Sequence, residues 1–151
     1  MGRKRLNRRI RAYELASEYA SGRGALKIDS GDLLLGIVEA DRFLPLPPNM
    51  RNKVKIAQVR EAVMEARSEG MVDTEELEHI QNRANQYAER YIISLSKTPS
   101  SGIQEIYVAM ARANPDKFIG PAVLKKLGVD RTMVGNSYRL GLALSAFDFP
   151  I

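Results

Sequence analysis

Apolar residues recur along nearly all of this chain at three- and four-residue intervals, and no stretch alternates apolar with polar positions for long. The first pattern lines up greasy side chains on one face of an α-helix, whereas a half-buried strand requires the second. The spacing therefore predicts an all-α fold. With 151 residues, 44% of them hydrophobic, the chain can close one core and is too apolar to stay disordered.

Punctuation divides the pattern into elements. A first helix is predicted over residues 7–21, with Leu6, Ile10, Tyr13, Ala16 and Ala20 on one stripe and Gly22 and Gly24 as its stop. Asp29 or Ser30 caps a short second helix. Its Leu33, Leu34, Leu35, Ile37 and Val38 are apolar on too many sides for a surface, which predicts a buried central helix. Pro45, Pro47 and Pro48 then break the chain, since each holds the preceding residue extended. A third helix is predicted over 51–69, with Ile56, Val59, Val63 and Ala66 inward and Gly70 at its end. Asp73 and Glu76 are read as a capping box for a fourth helix carrying Leu77, Ile80, Ala84, Tyr87, Tyr91 and Leu95. Ile103, Ile106, Tyr107 and Met110 mark another short apolar helix. Gly120 and Pro121 open the next, with Pro at the first helical position and Gly128 just past the end. Asp130 caps a last helix with Val134, Tyr138, Leu142 and Leu144, and residues 147–151 form an apolar tail.

The net charge of +5 is unevenly placed. Residues 1–12 hold Arg3, Lys4, Arg5, Arg8, Arg9 and Arg11 and no acid, while beyond them 17 basic residues face 18 acidic ones. The basicity belongs to one N-terminal arm that leads into the first helix. Such an arm is able to hold RNA, DNA or an acidic protein by Coulomb attraction. It carries no interleaved aromatic on which a base would stack, and a solvated arm is the plainer reading. The near-neutral remainder offers no strongly basic helix for a nucleic-acid groove.

Several kinds of chemistry lack their residues. Without cysteine there is neither a disulfide scaffold nor a thiolate zinc site, and a reducing compartment is expected, cytoplasm or, in a plant or alga, plastid stroma. No apolar run approaches the ~18–20 residues of a membrane span, and no apolar stretch follows the basic start as a secretory signal requires. His79 is the single histidine, expected at the boundary or in solvent on the fourth helix. Glu75, Glu76 and Glu78 match the ordinary acidic first turn of a helix better than a metal cluster. Gly22-Arg23-Gly24 follows a helix and lacks the third glycine of a dinucleotide loop. No nucleophile, base and orienting group come together in the sequence, so neither catalysis nor a cofactor is expected.

The elements repeat. A long amphipathic helix and then a short, very apolar one occur in each half. Leu33-Leu34-Leu35 and Ile106-Tyr107-Val108 are 73 residues apart, and Tyr13 and Tyr87 are 74 apart. A near-constant offset predicts a duplicated helical unit, residues 6–70 and 73–146, whose halves bury their apolar faces together in one domain over 6–146.

These residues resemble a known family. Asp29-Ser30-Gly31-Asp32-Leu33-Leu34-Leu35-Gly36-Ile37 is similar to the Gly-Thr-Glu-His-Leu-Leu-Leu-Gly-Leu stretch of Clp chaperone N-terminal domains. The run from Gly120 through Leu124-Lys125-Lys126-Leu127-Gly128-Val129-Asp130 is similar to the Ala-Ala-Lys-Val-Leu-Lys-Lys-Leu-Gly-Val-Asp stretch that follows there. The resemblance implies seven to eight helices in two imperfect four-helix repeats. It also implies a non-catalytic protein-binding role, as an accessory or adaptor-like subunit of a Clp-type chaperone or protease system. The protein-binding residues it implies are Asp29, Ser30, Asp32, Gln104 and Glu105. A Gly-x-x-x-x-Gly-Lys-Ser/Thr nucleotide loop is absent from the sequence, which suits the free-standing type. Where some family members place a Glu for phosphoarginine, this chain has Gly31 and Gln104, which carry no charge. Two other roles compete: nucleic-acid binding through the arm, and a structural subunit of a larger assembly locked by arm and tail.

Overall fold

A computed structural model describes residues 2–40, 55–95, 102–132 and 134–135. Six helices and no strand lie among them: α1 (Gly2–Gly22), α2 (Ser30–Ala40), α3 (Ile56–Ser68), α4 (Glu78–Leu95), α5 (Ile103–Arg112) and α6 (Ile119–Lys126). Residues 131–132 and 134–135 are also helical. The proline break at 44–48 and the tail at 147–151 lie outside the described residues.

The periodicity placed these helices well, and local chemistry explains where the ends moved. Helix α1 starts five residues earlier than residue 7, because Arg, Lys and Leu are good helix formers and neither Gly nor Pro interrupts residues 3–6. Its end follows the expected glycine stop: Gly24 takes a positive φ, and the Ala25 amide reaches back to the Ala20 carbonyl at 2.9 Å. Helix α6 starts at Ile119, so Pro121 is the third helical residue and not the first. It is tolerated there because amides of a first turn have no intrahelical acceptor to lose.

The fourth helix is the clear correction. It begins at Glu78, so Asp73 and Glu76 form no capping box for it. The stretch before it is irregular and lies along the turn preceding α6, where the Thr74 amide donates to the Lys117 carbonyl at 2.8 Å. Asp73 instead accepts amides from the starts of α2 and α6.

Helices α1 and α2 form the most extensive pair, and α4 with α5 is the next. The two short apolar helices are central: α2 packs on α1, α3, α5 and α6, and α5 packs on α1, α2, α4 and α6. Leu33, Leu34, Ile37, Ile106, Tyr107 and Met110 are buried from end to end of this core. Burying one such side chain contributes about 1.5–3 kcal/mol, so these helices are held by their surroundings and not by propensity. The Tyr107 hydroxyl has no hydrogen-bond partner among the described residues, and burial pushes its pKa upward.

The α1–α2 crossing is close because it is lined by small residues. Ala12 and Ala16 are fully buried, and a Cβ on Gly36 would fall 2.2 Å from the Ala12 carbonyl oxygen. Tyr19 ties the outer edge of the same pair: its hydroxyl donates to Glu39 on α2 and accepts from Arg60 on α3. On the other side, Gln81 of α4 donates to the Tyr13 hydroxyl at 2.9 Å, linking α4 to α1. Gly36→Ala forces the two backbones apart and should lower stability by about 1–3 kcal/mol, the range for overpacking a tight core. Chemical denaturation of both proteins measures it, and an unchanged midpoint contradicts the close crossing.

Candidate functional site

Helices α2 and α6 both start inside the protein. The first amides of a helix have no intrahelical acceptor, and burying them without partners is costly. The sequence answers with carboxylates. At α2, Asp29 and Asp32 cap reciprocally: the Asp32 amide donates to Asp29 Oδ1 at 2.9 Å and the Asp29 amide to Asp32 Oδ2 at 3.0 Å. This is a capping box with aspartate at both ends. Ser30 then receives both oxygens of Asp73, its amide at 2.7 Å from Oδ2 and its hydroxyl donating to Oδ1 at 2.7 Å. The same Asp73 Oδ1 accepts the Ile119 amide at 2.9 Å, and the Ser30 hydroxyl oxygen accepts the Gly120 amide at 2.7 Å. One carboxylate thus caps the starts of two helices 89 positions apart in the chain.

Two arginines offset the charges of Asp29 and Asp32 in the same cluster. Asp32 has no solvent exposure. Arg23 donates to it through Nε at 3.1 Å and Nη2 at 2.6 Å, a two-pronged contact that fits a planar guanidinium. Arg67 of α3 reaches Asp29 at 2.8 Å and Asp32 at 3.0 Å. Burial alone would raise the Asp32 pKa; the Arg23 hydrogen bonds, the Asp29 amide and the charges of Arg67 and Arg23 outweigh it and hold the carboxyl below 3.8. A Cβ on Gly31 would meet Arg67 Nη2 at 3.0 Å, so the residue at this position lies directly under a guanidinium.

The start of α5 uses the same device in shorter form. Glu105, fully buried, accepts the Gly102 amide at 2.8 Å through Oε1. Gly102 and Glu105 stand in the relation of Asp29 and Asp32, and both pairs are 73 residues apart.

The structure therefore brings Asp29, Ser30 and Asp32 into one cluster and sets Gln104 and Glu105 at a separate helix start. Ser30, Asp32 and Glu105 are turned inward; Asp29 and Gln104 keep partial exposure. Three residues of the cluster escaped the sequence reading: Arg23, read as part of a helix stop, and Arg67 and Asp73, given other roles or none. Their partners lie about 40 residues away or at the far side of a turn, and no local spacing signals them. The basic residues Arg3, Lys4, Arg5, Arg8, Arg9 and Arg11 all lie along α1. Of these, Arg9 sits over the Tyr13 ring, 6.0 Å from its centroid, and Arg11 pairs with Glu14 at 3.2 Å. His79 is exposed, and among the described residues no group of histidine or acidic side chains is arranged to hold a metal ion. None of the described helices is long and apolar enough to cross a membrane.

No family model matches this sequence, and neither a curated protein nor a solved structure matches it.

Two measurements test the cluster. Asp73→Ala removes the acceptor shared by α2 and α6 and should cost about 2–4 kcal/mol, from two or more lost bonds to a charged group at about 1.5–3 kcal/mol each with partial relaxation. A loss within 0.5 kcal/mol, about the scatter for a neutral surface change, contradicts the bridging role. Asp32 titrates below its ordinary value when folded, so its contribution is complete above about pH 4 and is lost as the pH falls through the lower folded value. Asp32→Asn should be less stable than the parent at pH 7, and the gap should narrow as the pH falls below 4. A gap independent of pH removes the charge from the explanation.

Proposed function

We propose that this chain is a non-catalytic protein-binding module of the Clp N-terminal type, an accessory or adaptor-like subunit of a chaperone or protease system. The observation that carries the reading is the 73-residue relation between the halves. Helix α2 starts at Ser30 and α5 at Ile103; Asp29 and Asp32 match Gly102 and Glu105; Leu33-Leu34-Leu35 match Ile106-Tyr107-Val108, all six buried. The long helices α1 and α4 precede them, with Tyr13 and Tyr87 74 positions apart, and pack on them as pairs. Two similar helix pairs with one capping scheme favour a duplicated unit, the arrangement that the resemblance implies.

In this reading the acidic helix starts are fitted to the chain's own guanidiniums. Asp29 and Asp32 already hold Arg23 and Arg67, which leaves Asp29, Gln104 and the outer edge of Arg23 as the accessible part of the protein-binding positions. Partner recognition then rests on surface shape and polar contacts around these ends, with Ser30, Asp32 and Glu105 holding the backbone in place.

Native mass spectrometry of the purified chain mixed with Clp chaperone and protease subunits tests the proposal. A defined complex that weakens on Asp29→Ala or Gln104→Ala supports it. Retention of only nucleic acid or ribosomal material, with loss of that binding on deleting residues 1–11, would replace it with the nucleic-acid reading.

A further inference from the structure

A second feature stands apart from the capped helix starts. At the far end of α5 from Gln104 and Glu105, a groove of about 440 Å³ lies between α4, the C-terminal end of α5 and the segments around Phe118 and Arg131. Its ionisable lining is His79 and Arg83 from α4, Arg112 from α5, Arg131, and one carboxylate, Glu75. Glu75 is engaged by Lys117 at 2.7 Å, and that contact holds its carboxyl below the usual range. Among the described residues no aspartate or glutamate forms an ion pair with Arg83, Arg112 or Arg131. Two of the three arginines are nonetheless positioned. Arg112 lies over the Tyr87 ring at 5.8 Å, and Arg131 donates to the Arg112 carbonyl at 2.8 Å. The floor is apolar, formed by Ile80, Ala109 and Phe118, each buried.

Three guanidiniums around a concave surface with an apolar floor focus a positive potential, and a guanidinium presents paired donors to the oxygens of a phosphate or carboxylate. In the cluster at α2, by contrast, both arginines are neutralised by Asp29 and Asp32. The volume lies in the range of small-molecule sites, about 300–1,000 Å³. We propose that this groove binds a compact polyanion, held through Arg83, Arg112 and Arg131 by phosphate or carboxylate oxygens, with Asn114 and His79 at its rim. The inference is independent of the protein-binding reading.

The test is isothermal titration calorimetry of the full chain with pyrophosphate and with citrate, in chloride buffers of matched ionic strength. At least one should bind saturably at one site, and the tighter of the two assigns the oxygen donor as phosphate or carboxylate. Arg83→Gln and Arg131→Gln should each weaken binding at least tenfold while keeping the parent's thermal midpoint. In parallel, backbone amide shifts of the unaltered protein should move at residues 75–83 and 109–114, a readout that needs no variant. Absence of saturable binding by both probes, affinity unchanged from the parent in both variants, or shifts confined to residues 2–11 would overturn the proposal.

Discussion

A helix that begins inside a protein carries amide groups whose partners must come from elsewhere. In this chain α2 and α6 both begin inside, side by side, and the solution is a single carboxylate. Asp73 binds the first residue of each helix, and the Ser30 hydroxyl completes the link by donating to Asp73 and accepting from Gly120. The helix starts also lie close enough that a Cβ on Gly120 would come within 2.9 Å of the Ser30 carbonyl oxygen. Without the acid, the Ser30 and Ile119 amides would lose their acceptor, and the central helix would lose the anchor that orients it. The packing of α1, α3 and α5 around α2 depends on that orientation.

The same constraint accounts for the charges around α2. A carboxylate with no exposure is tolerated when its oxygens are matched by donors. Asp32 is matched by an amide and two guanidiniums. Arg23 comes from the loop after α1 and Arg67 from the last turn of α3, so the ion cluster draws three segments to one point. Ser30, Asp32 and Glu105 are buried, and their polar groups are engaged at the helix starts. Among the described residues, the edge of these helix starts at Asp29 and Gln104 is accessible, and an arginine-lined groove lies at the other end of α5.

The starts of α2 and α5 can be compared position by position at an offset of 73 residues. The buried triplets at α2 and α5 share their register, and so do the acids at the third helical position. The accessory contacts differ. The first half uses two arginines and a shared aspartate, and Gly36 for the close approach to α1. The second has Ala109 at the matching place and a tyrosine, Tyr107, where the first has Leu34. Burying the Tyr107 hydroxyl without a partner among the described residues is a polar cost that the first half avoids.

The sequence by itself determined the helical class, because a three-to-four residue period is a local property that backbone geometry converts directly into one apolar face. It also determined which short helices are central, since a run such as Leu33-Leu34-Leu35 has no other place to go, and it marked the glycine stop at Gly24 and the acid-rich start of α2. Tertiary structure alone decided what the charges do. Asp73 reads as a helix cap in sequence because acids before an apolar run usually are, but the amides it satisfies belong to helices far away in the chain. Arg23 and Arg67 meet Asp32 only after α1, α2 and α3 have packed, and the arginines of the groove converge only when α4 and α5 lie together. Periodicity records which way a side chain faces; a pairing between distant groups depends on how the faces meet, and no local spacing encodes that.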